Sequence, residues 1–347
     1  MRLNPPSFDD LIQYQVECLS SEGRSQKTIK WYCANLRRFL RFLRDHRLPD
    51  SIDEIGVTEA RSFVLYLQTE VTRWQDSPYT RDSKRLSPFS VLGYVRTIKV
   101  FWSWLIFEGY ITSNPMEKLK LPRVPKKVII TFTPEHIVRM VGALDRTSHR
   151  GFRDYCIVLL LLDTGMRKSE LLGLRVEDID FKQSSLRVRG KGNKERIVPL
   201  GTQARRTLWR YLSVHRPETT AETTNLFLAT SGERLGDWSV RWILARLAKK
   251  AGISGVRCSA HTFRHTFAKE YLMQGGDVFS LQKILGHSSL EMVRTYVNLA
   301  QSDVALQHRK FSPVDNLILP KNRPSPGVPG MTSTTSWRNS SKWPILT

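Results

Sequence analysis

The chain has 347 residues, 40% of them hydrophobic and 25% charged, enough for two ordinary domains with a core each. Its 54 Lys+Arg against 32 Asp+Glu give a formal net charge of +22, a field that attracts polyanions and makes nucleic acid the leading partner. The longest apolar run, "CIVLLLL" at 156–162, falls far short of a membrane span and the start "MRLNPPSFDD" is polar, so an integral membrane protein is excluded and a cytoplasmic one is expected.

Along the chain, the first amphipathic segment is "KTIKWYCANLRRFLRFLRDHR" at 27–47. Trp31, Leu36, Phe39, Leu40 and Leu43 fall near helical spacing, while Lys27, Lys30, Arg37, Arg38, Arg41, Arg44 and Arg47 fill the opposite face. Helices are also predicted at 58–70 and 89–109, the latter stopped by "SNP" at 113–115. The stretch "LKLPRVPKKV" at 119–128, with two prolines, four cations and no apolar period, reads as an extended linker. The expected division is therefore a helical first domain at 1–120, a linker at 121–130 and a second domain at 131–312.

In the second domain, Thr133 is a plausible N-cap with Pro134 at the first helical position. "RDYCIVLLLLDTG" reads as a buried helix broken at Gly165, and "RKSELLGL" restarts it. The period then changes to two on either side of a Gly-Asn centre in "SLRVRGKGNKERIVPL", 185–200, which predicts a β-hairpin. Helices are expected again at 203–214, 237–251, 262–274 and 289–301. Four cysteines, Cys18, Cys33, Cys156 and Cys258, show no CxxC spacing and read as small buried hydrophobes of a reducing compartment. From Pro313 onward six of the 17 prolines mix with Ser, Thr and Gly, so 313–347 is expected to be disordered or to fold only on a partner.

Nucleotide-phosphate loops (GxxxxGK[ST]) and HExxH are missing from the sequence. What remains is a set of cations and imidazoles at element boundaries. "HTFRH" puts His261 and Arg264 three apart at a helix start, where both could converge on one anion or simply cap the helix and pair with a carboxylate. Arg167 follows the glycine break in "TGMRKSE", with Glu170 either its orienting partner or a surface ion pair. Lys191 approaches the hairpin tip and Lys194 follows it; either could be a solvated charge, a DNA contact or a proton donor. In "LGHSSLEMVRTYVNLA", 285–300, Ser288 and Glu291 form a capping box, so a helix should begin just after His287. Leu290, Val293 and Val297 then mark its buried stripe, with Tyr296 at the edge, a place that suits core filling or chemistry. Together, two arginines, two histidines, a lysine and a phenol are a coherent inventory for metal-free phosphoryl transfer.

"TGMRKSELLGLR", "GKGNKERIVPL", "HTFRHTFA" and "LGHSSLEMVRTYV", in this order, closely resemble the tyrosine recombinases of phage-integrase and Xer type, over roughly residues 8–312. The resemblance implies a mainly α fold with a small β-hairpin or sheet: an N-terminal helical core-binding (SAM-like) domain plus a C-terminal α+β catalytic domain. It places Arg167, Lys191, His261, Arg264, His287 and Tyr296 on the six catalytic positions, Tyr296 as nucleophile. It also implies a 3′-phosphotyrosyl intermediate, no cofactor and no metal, and a tetramer closed around two double-stranded DNA sites, with residues 303–312 docking on a neighbour and accessory DNA-binding proteins possible. Candidate DNA-backbone contacts are Lys27, Lys30, Arg37, Arg38, Arg41, Lys99, Lys194 and Arg241. Integration, excision and resolution stay open as outcomes. A type IB topoisomerase-like nicking and resealing enzyme, or a catalytically silent DNA-binding accessory protein on the same scaffold, are the alternatives.

Overall fold

The computed structural model describes residues 6–73, 84–125, 128–190, 192, 194–218, 223–286, 289–299, 308 and 312–314. The chain divides into two units, Met1–Val128 and Ile129–Thr347. Much of the loop at 72–88, the hairpin tip including Lys191, His287 and Ser288, most of 303–312 and nearly all of the Pro/Ser-rich tail lie outside the described residues. No helix among those described is long and apolar enough to cross a membrane.

The first unit is helical. Helix α1 (Phe8–Ser21) starts at a Ser7–Asp10 capping box, α2 spans Gln26–Asp45, α3 Val57–Thr69 and α4 Pro88–Phe107. Three of these match the sequence expectation to within about two residues, the ordinary scatter of helix ends. Helix α1 was not anticipated, although "SFDDLIQYQ" carries both the cap and the i, i+3, i+4 apolar spacing of Phe8, Leu11 and Ile12. Helix α4 stops at Phe107, ahead of the "SNP" stop, because Gly109 turns the chain with a positive φ of 77°; Pro115 instead opens a short 3-10 turn, Pro115–Lys118.

The four helices share an aromatic core in which Phe39, Phe63, Phe101 and Trp102 are fully buried. Phe8 stacks on Phe101 at 5.3 Å between centroids and meets Trp102 edge-on at 5.8 Å. Trp31, expected in the buried stripe of α2, is 45% exposed: its indole lies against Gly93 of α4, where an added Cβ would stand 3.1 Å from the ring. Lys99, a candidate DNA contact, is engaged within its own unit. Its ammonium donates to the carbonyls of Met116, Glu117 and Leu119 at 2.7, 3.1 and 3.0 Å, so its three donors cap the 3-10 turn.

The second unit begins with α5 (Pro134–Gly142), whose N-cap Thr133 accepts from the His136 N–H at 3.2 Å. Helix α6 (His149–Thr164) is buried through Cys156, Ile157, Val158, Leu160 and Leu161 and ends at Gly165 in the left-handed conformation (φ 59°). Only glycine fits there, since a Cβ would come within 2.5 Å of Phe267. Helix α7 (Lys168–Gly173) restarts two residues on with Arg167 as its N-cap. The hairpin forms as expected from β2 (Ser185–Arg189) and β3 (Glu195–Pro199), with Val188 opposite Arg196. A short strand β1 (Ile179–Asp180) adds to the other edge of β2, giving an antiparallel sheet of order β1-β2-β3.

Helices α8 (Thr202–Arg210, ending in a π turn at Tyr211–His215), α9 (Ser239–Lys250), α10 (Ala260–Met273) and α12 (Leu290–Leu299) correspond to predicted ones. Helix α11 (Val278–Leu285) does not: it was missed, although Asp277 caps it by accepting from the Phe279 and Ser280 N–H groups and Gly286 ends it with φ 63°. Cys156 is buried, whereas Cys18, Cys33 and Cys258 are only half-buried; all four are free thiols.

Candidate active site

Arg167 stands at the N-cap of α7, immediately beyond the Gly165 break, and there the sequence has two alternatives for Glu170 that the geometry separates. Glu170 is buried, accepts from the Arg167 backbone N–H at 2.8 Å and from Arg167 Nη1 at 2.7 Å, and is gripped by both Nη atoms of Arg196 at 3.0 and 2.8 Å. It is therefore an orienting partner and no surface pair. Burial pushes its carboxyl up, but the hydrogen bonds from Arg196 and Arg167 outweigh that and hold it at about 2. Because this lies below the ordinary carboxylate value, the stabilisation is complete above about pH 4.5 and is lost only as pH falls towards 2.

Arg264, on the first turns of α10, is buried rather than extended towards solvent. Nη1 donates to the Gly165 carbonyl at 2.9 Å and Nη2 to the Leu285 carbonyl at 2.8 Å, which fixes the plane of the guanidinium between the α6–α7 break and the end of α11. Burial, then the charge of Arg167, lowers its pKa to about 10, still leaving it cationic at neutral pH. His261, three residues earlier on the same helix, is exposed; its ring centroid lies 6.3 Å from that of His265.

Tyr296 is not at the edge of its stripe. Val293 (0% exposed) and Tyr296 (5%) form the buried face of α12, whereas Leu290 (43%) and Val297 (41%), expected inside, are exposed. Helix α12 packs on α10 and α11, and that contact rotates the phenol inward. The Tyr296 hydroxyl lies 2.9 Å from His265 Nδ1, a partner that sequence reasoning missed. Burial raises the phenol pKa, while the Arg264 charge and hydrogen bond, and then the Arg167 charge, pull it down without cancelling the rise.

The structure thus brings Arg167, Arg264 and Tyr296 into one electrostatic neighbourhood, with His261 beside His265 and Glu170 and Arg196 beneath. Lys191 and His287 lie outside the described residues. Of the DNA-contact candidates, Lys27, Lys30, Arg37, Arg41 and Lys194 are exposed, and so is Arg241, whose guanidinium lies 5.2 Å from the Trp238 ring centroid. Arg38 is half-buried and donates to the Tyr94 hydroxyl at 3.0 Å. Among the described residues, no group of three or more His, Cys, Asp or Glu is gathered to hold a metal ion.

A phenol buried against two arginines, on a helical scaffold with one small sheet, defines a protein built to handle an anionic ester. Residues 131–303 match the model of the phage integrase family. Tyrosine recombinase XerC of Oceanobacillus iheyensis is 32% identical over 314 residues, covering 89% of this chain and 96% of its own. The chain belongs to the phage integrase family of tyrosine recombinases: it is a site-specific recombinase, an enzyme that cleaves and rejoins DNA. Solved structures share the fold. A XerH site-specific recombinase bound to its palindromic difH substrate superposes with a TM-score of 0.66 at 18% identity, over 86% of this chain and 84% of that one. A lambda integrase dimer bound to a COC′ core site gives 0.63 at 22%, over 83% and 97%.

Proposed function

We propose that the chain cleaves one strand of duplex DNA by attack of the Tyr296 hydroxyl on a phosphodiester, leaving a 3′-phosphotyrosyl bond and a free 5′-hydroxyl. The observation that carries this reading is the buried Tyr296 phenol, bonded to His265 and facing the charges of Arg264 and Arg167. A phenol near pKa 10 or above is a weak nucleophile in water. Held against two guanidinium groups, its developing oxyanion and the charge growing on the phosphate are stabilised together.

In this scheme Arg167 and Arg264 take the nonbridging oxygens, each through a planar fork that matches a phosphate. His265 is placed to accept the phenol's proton, and His261, next to it and exposed, to pass that proton on. Lys191 protonates the departing 5′-oxygen and His287 adds a hydrogen bond to the phosphate. The phosphotyrosyl link keeps the bond energy of the diester, so a 5′-hydroxyl from another strand can reverse the step and rejoin the DNA in a new arrangement. Residues 1–120 serve as a DNA core-binding domain and 131–312 as the catalytic domain, joined by a linker at 121–130.

The XerH and lambda integrase structures hold DNA, and the latter is a dimer. On that basis this chain binds double-stranded DNA as a homo-oligomer, a tetramer in the synapse, with the exposed cations of α2, together with Lys194 and Arg241, on the phosphate backbone. Residues 303–312 and the tail after Pro313 engage a neighbouring protomer or an accessory protein, and the enzyme works at the nucleoid in the cytoplasm.

The test uses a nicked suicide duplex that traps the covalent adduct. Tyr296→Phe should abolish the adduct while retaining DNA affinity; an adduct that persists identifies a different nucleophile and overturns the reading.

A further inference from the structure

Helix α11 ends on four carbonyls that its own backbone cannot satisfy, those of Gln282, Lys283, Ile284 and Leu285. The Gly286 N–H turns back on the Gln282 and Lys283 oxygens. The other two are taken by arginines from distant parts of the chain: Arg196 Nε donates to Ile284 O at 2.7 Å, and Arg264 Nη2 to Leu285 O at 2.8 Å. Both cations sit where the helix dipole is negative.

Arg196 does more than cap. While Nε holds α11, Nη1 and Nη2 hold the two oxygens of Glu170, and those same oxygens receive the Arg167 side chain and backbone. The stem of Arg196 runs flush against Gly286, where a Cβ would lie 3.0 Å from its Cδ. One β3 side chain thus connects the end of α11, where the chain passes on to His287, with the side chain of Arg167 through a single carboxylate. A lysine reaching the same place could not divide its donors between a carbonyl and both carboxylate oxygens in one plane.

We propose that Arg196 is a positioning residue for DNA strand cleavage, fixing Arg167 through Glu170 and setting the end of α11 against the same brace. The inference rests on the reading of Arg167 and Tyr296 as parts of the cleavage site. Among the described residues, the charged groups facing Glu170 are Arg167 from α7, Arg196 from β3 and Arg264 from α10, with Tyr296 of α12 beside Arg264; the β2–β3 backbone approaches at Gly190, 3.5 Å from the glutamate to an added Cβ. Without Arg196, burial pushes the Glu170 carboxyl upward against Arg167 alone at contact distance. The carboxyl then takes up a proton at a higher pH than in the native chain, and protonation loosens its hold on Arg167.

The experiment measures single-turnover cleavage of the suicide duplex by the full chain between pH 5 and 9, with DNA affinity measured separately. Arg196→Met should slow cleavage by about 10- to 100-fold, by analogy with the loss of an outer group that orients a metal ligand. It should leave affinity near native, because most contacts to the DNA backbone lie outside this brace, and make the acidic limb that a histidine base gives the native profile steeper. Arg196→Lys should recover the native profile but only part of the rate. In Glu170→Gln/Arg196→Met, which removes the buried carboxylate together with its bidentate partner and so keeps the test open if the single variant does not fold, cleavage should be slow and its acidic limb no steeper than the native one. Native rates in Arg196→Met, or in the double variant, overturn the inference. So does slow cleavage by Arg196→Met with an acidic limb no steeper than the native one. Tyr296→Phe separates the two ideas: loss of its adduct together with native cleavage by the Arg196 variants rejects the brace alone, whereas a persistent Tyr296→Phe adduct rejects the site itself.

Discussion

The cations of α2 and the arginines around Tyr296 are the same chemical groups put to opposite uses. Lys27, Lys30, Arg37 and Arg41 lie exposed on one face of a helix whose other face is packed. Arg264 and Arg196 are withdrawn from water, with donors bound to named carbonyls and to Glu170. Exposed cations give a field that salt screens and that tolerates imprecision. Withdrawn ones give geometry, and breaking one leaves polar groups stranded. A net charge of +22 therefore says little by itself about catalysis; what separates the two groups is how many of their donors the fold has already engaged.

Substitution on the withdrawn side should have the largest effect. Arg264→Ala should slow suicide-substrate cleavage by about 10²–10³-fold, as for loss of a preorganised donor, and should also lower thermal stability, since the Gly165 and Leu285 carbonyls lose their donor. Cleavage within tenfold of native would place the phosphate elsewhere. Next comes Gly165→Ala, which drives a Cβ into Phe267 at a positive φ. It should cost about 1–3 kcal/mol, seen as a lower melting temperature, and an unchanged melt would mean the α6–α7 break can relax.

Lys99 tests the boundary between the two classes, because the sequence put it with the exposed cations and the fold put it with the bonded ones. Lys99→Met should destabilise the first unit by about 1–3 kcal/mol, through three stranded carbonyls, without altering the salt dependence of DNA binding; a shallower slope would return it to the DNA face. The smallest effect belongs to α2. Lys30→Gln/Arg37→Gln should reduce the slope of log affinity against log salt by about 0.9 for each phosphate that is no longer neutralised, with cleavage at saturating DNA unaffected. A changed saturated rate would mean that these cations also order the catalytic unit.

Several elements were legible because local rules suffice for them. The Thr133–Pro134 start of α5, the Gly165 break and the β2–β3 hairpin each depend on residues within a few positions of one another. Helices α1 and α11 carried equally local signals, a Ser7–Asp10 capping box and an Asp277 cap with Gly286 at the far end, and were overlooked because their apolar runs are short. His265 and Arg196 had no such signal. One is the second histidine of "HTFRH" and the other a charge on a hairpin strand, and each acquires its partner from a segment 31 or 26 residues away.

By itself the sequence determined the class of chemistry, since the four motifs in order carry the family, and it determined most of the helices through capping and periodicity. Only the tertiary structure decided which face of α12 is inward and so how deeply the Tyr296 phenol is buried. It also decided that Glu170 serves two arginines and that Lys99 is a cap. The physical reason is the same in each case: a helix presents several candidate faces and a charged side chain several candidate partners. Local spacing cannot choose among them, whereas packing does so by making every unpartnered buried donor or carbonyl costly.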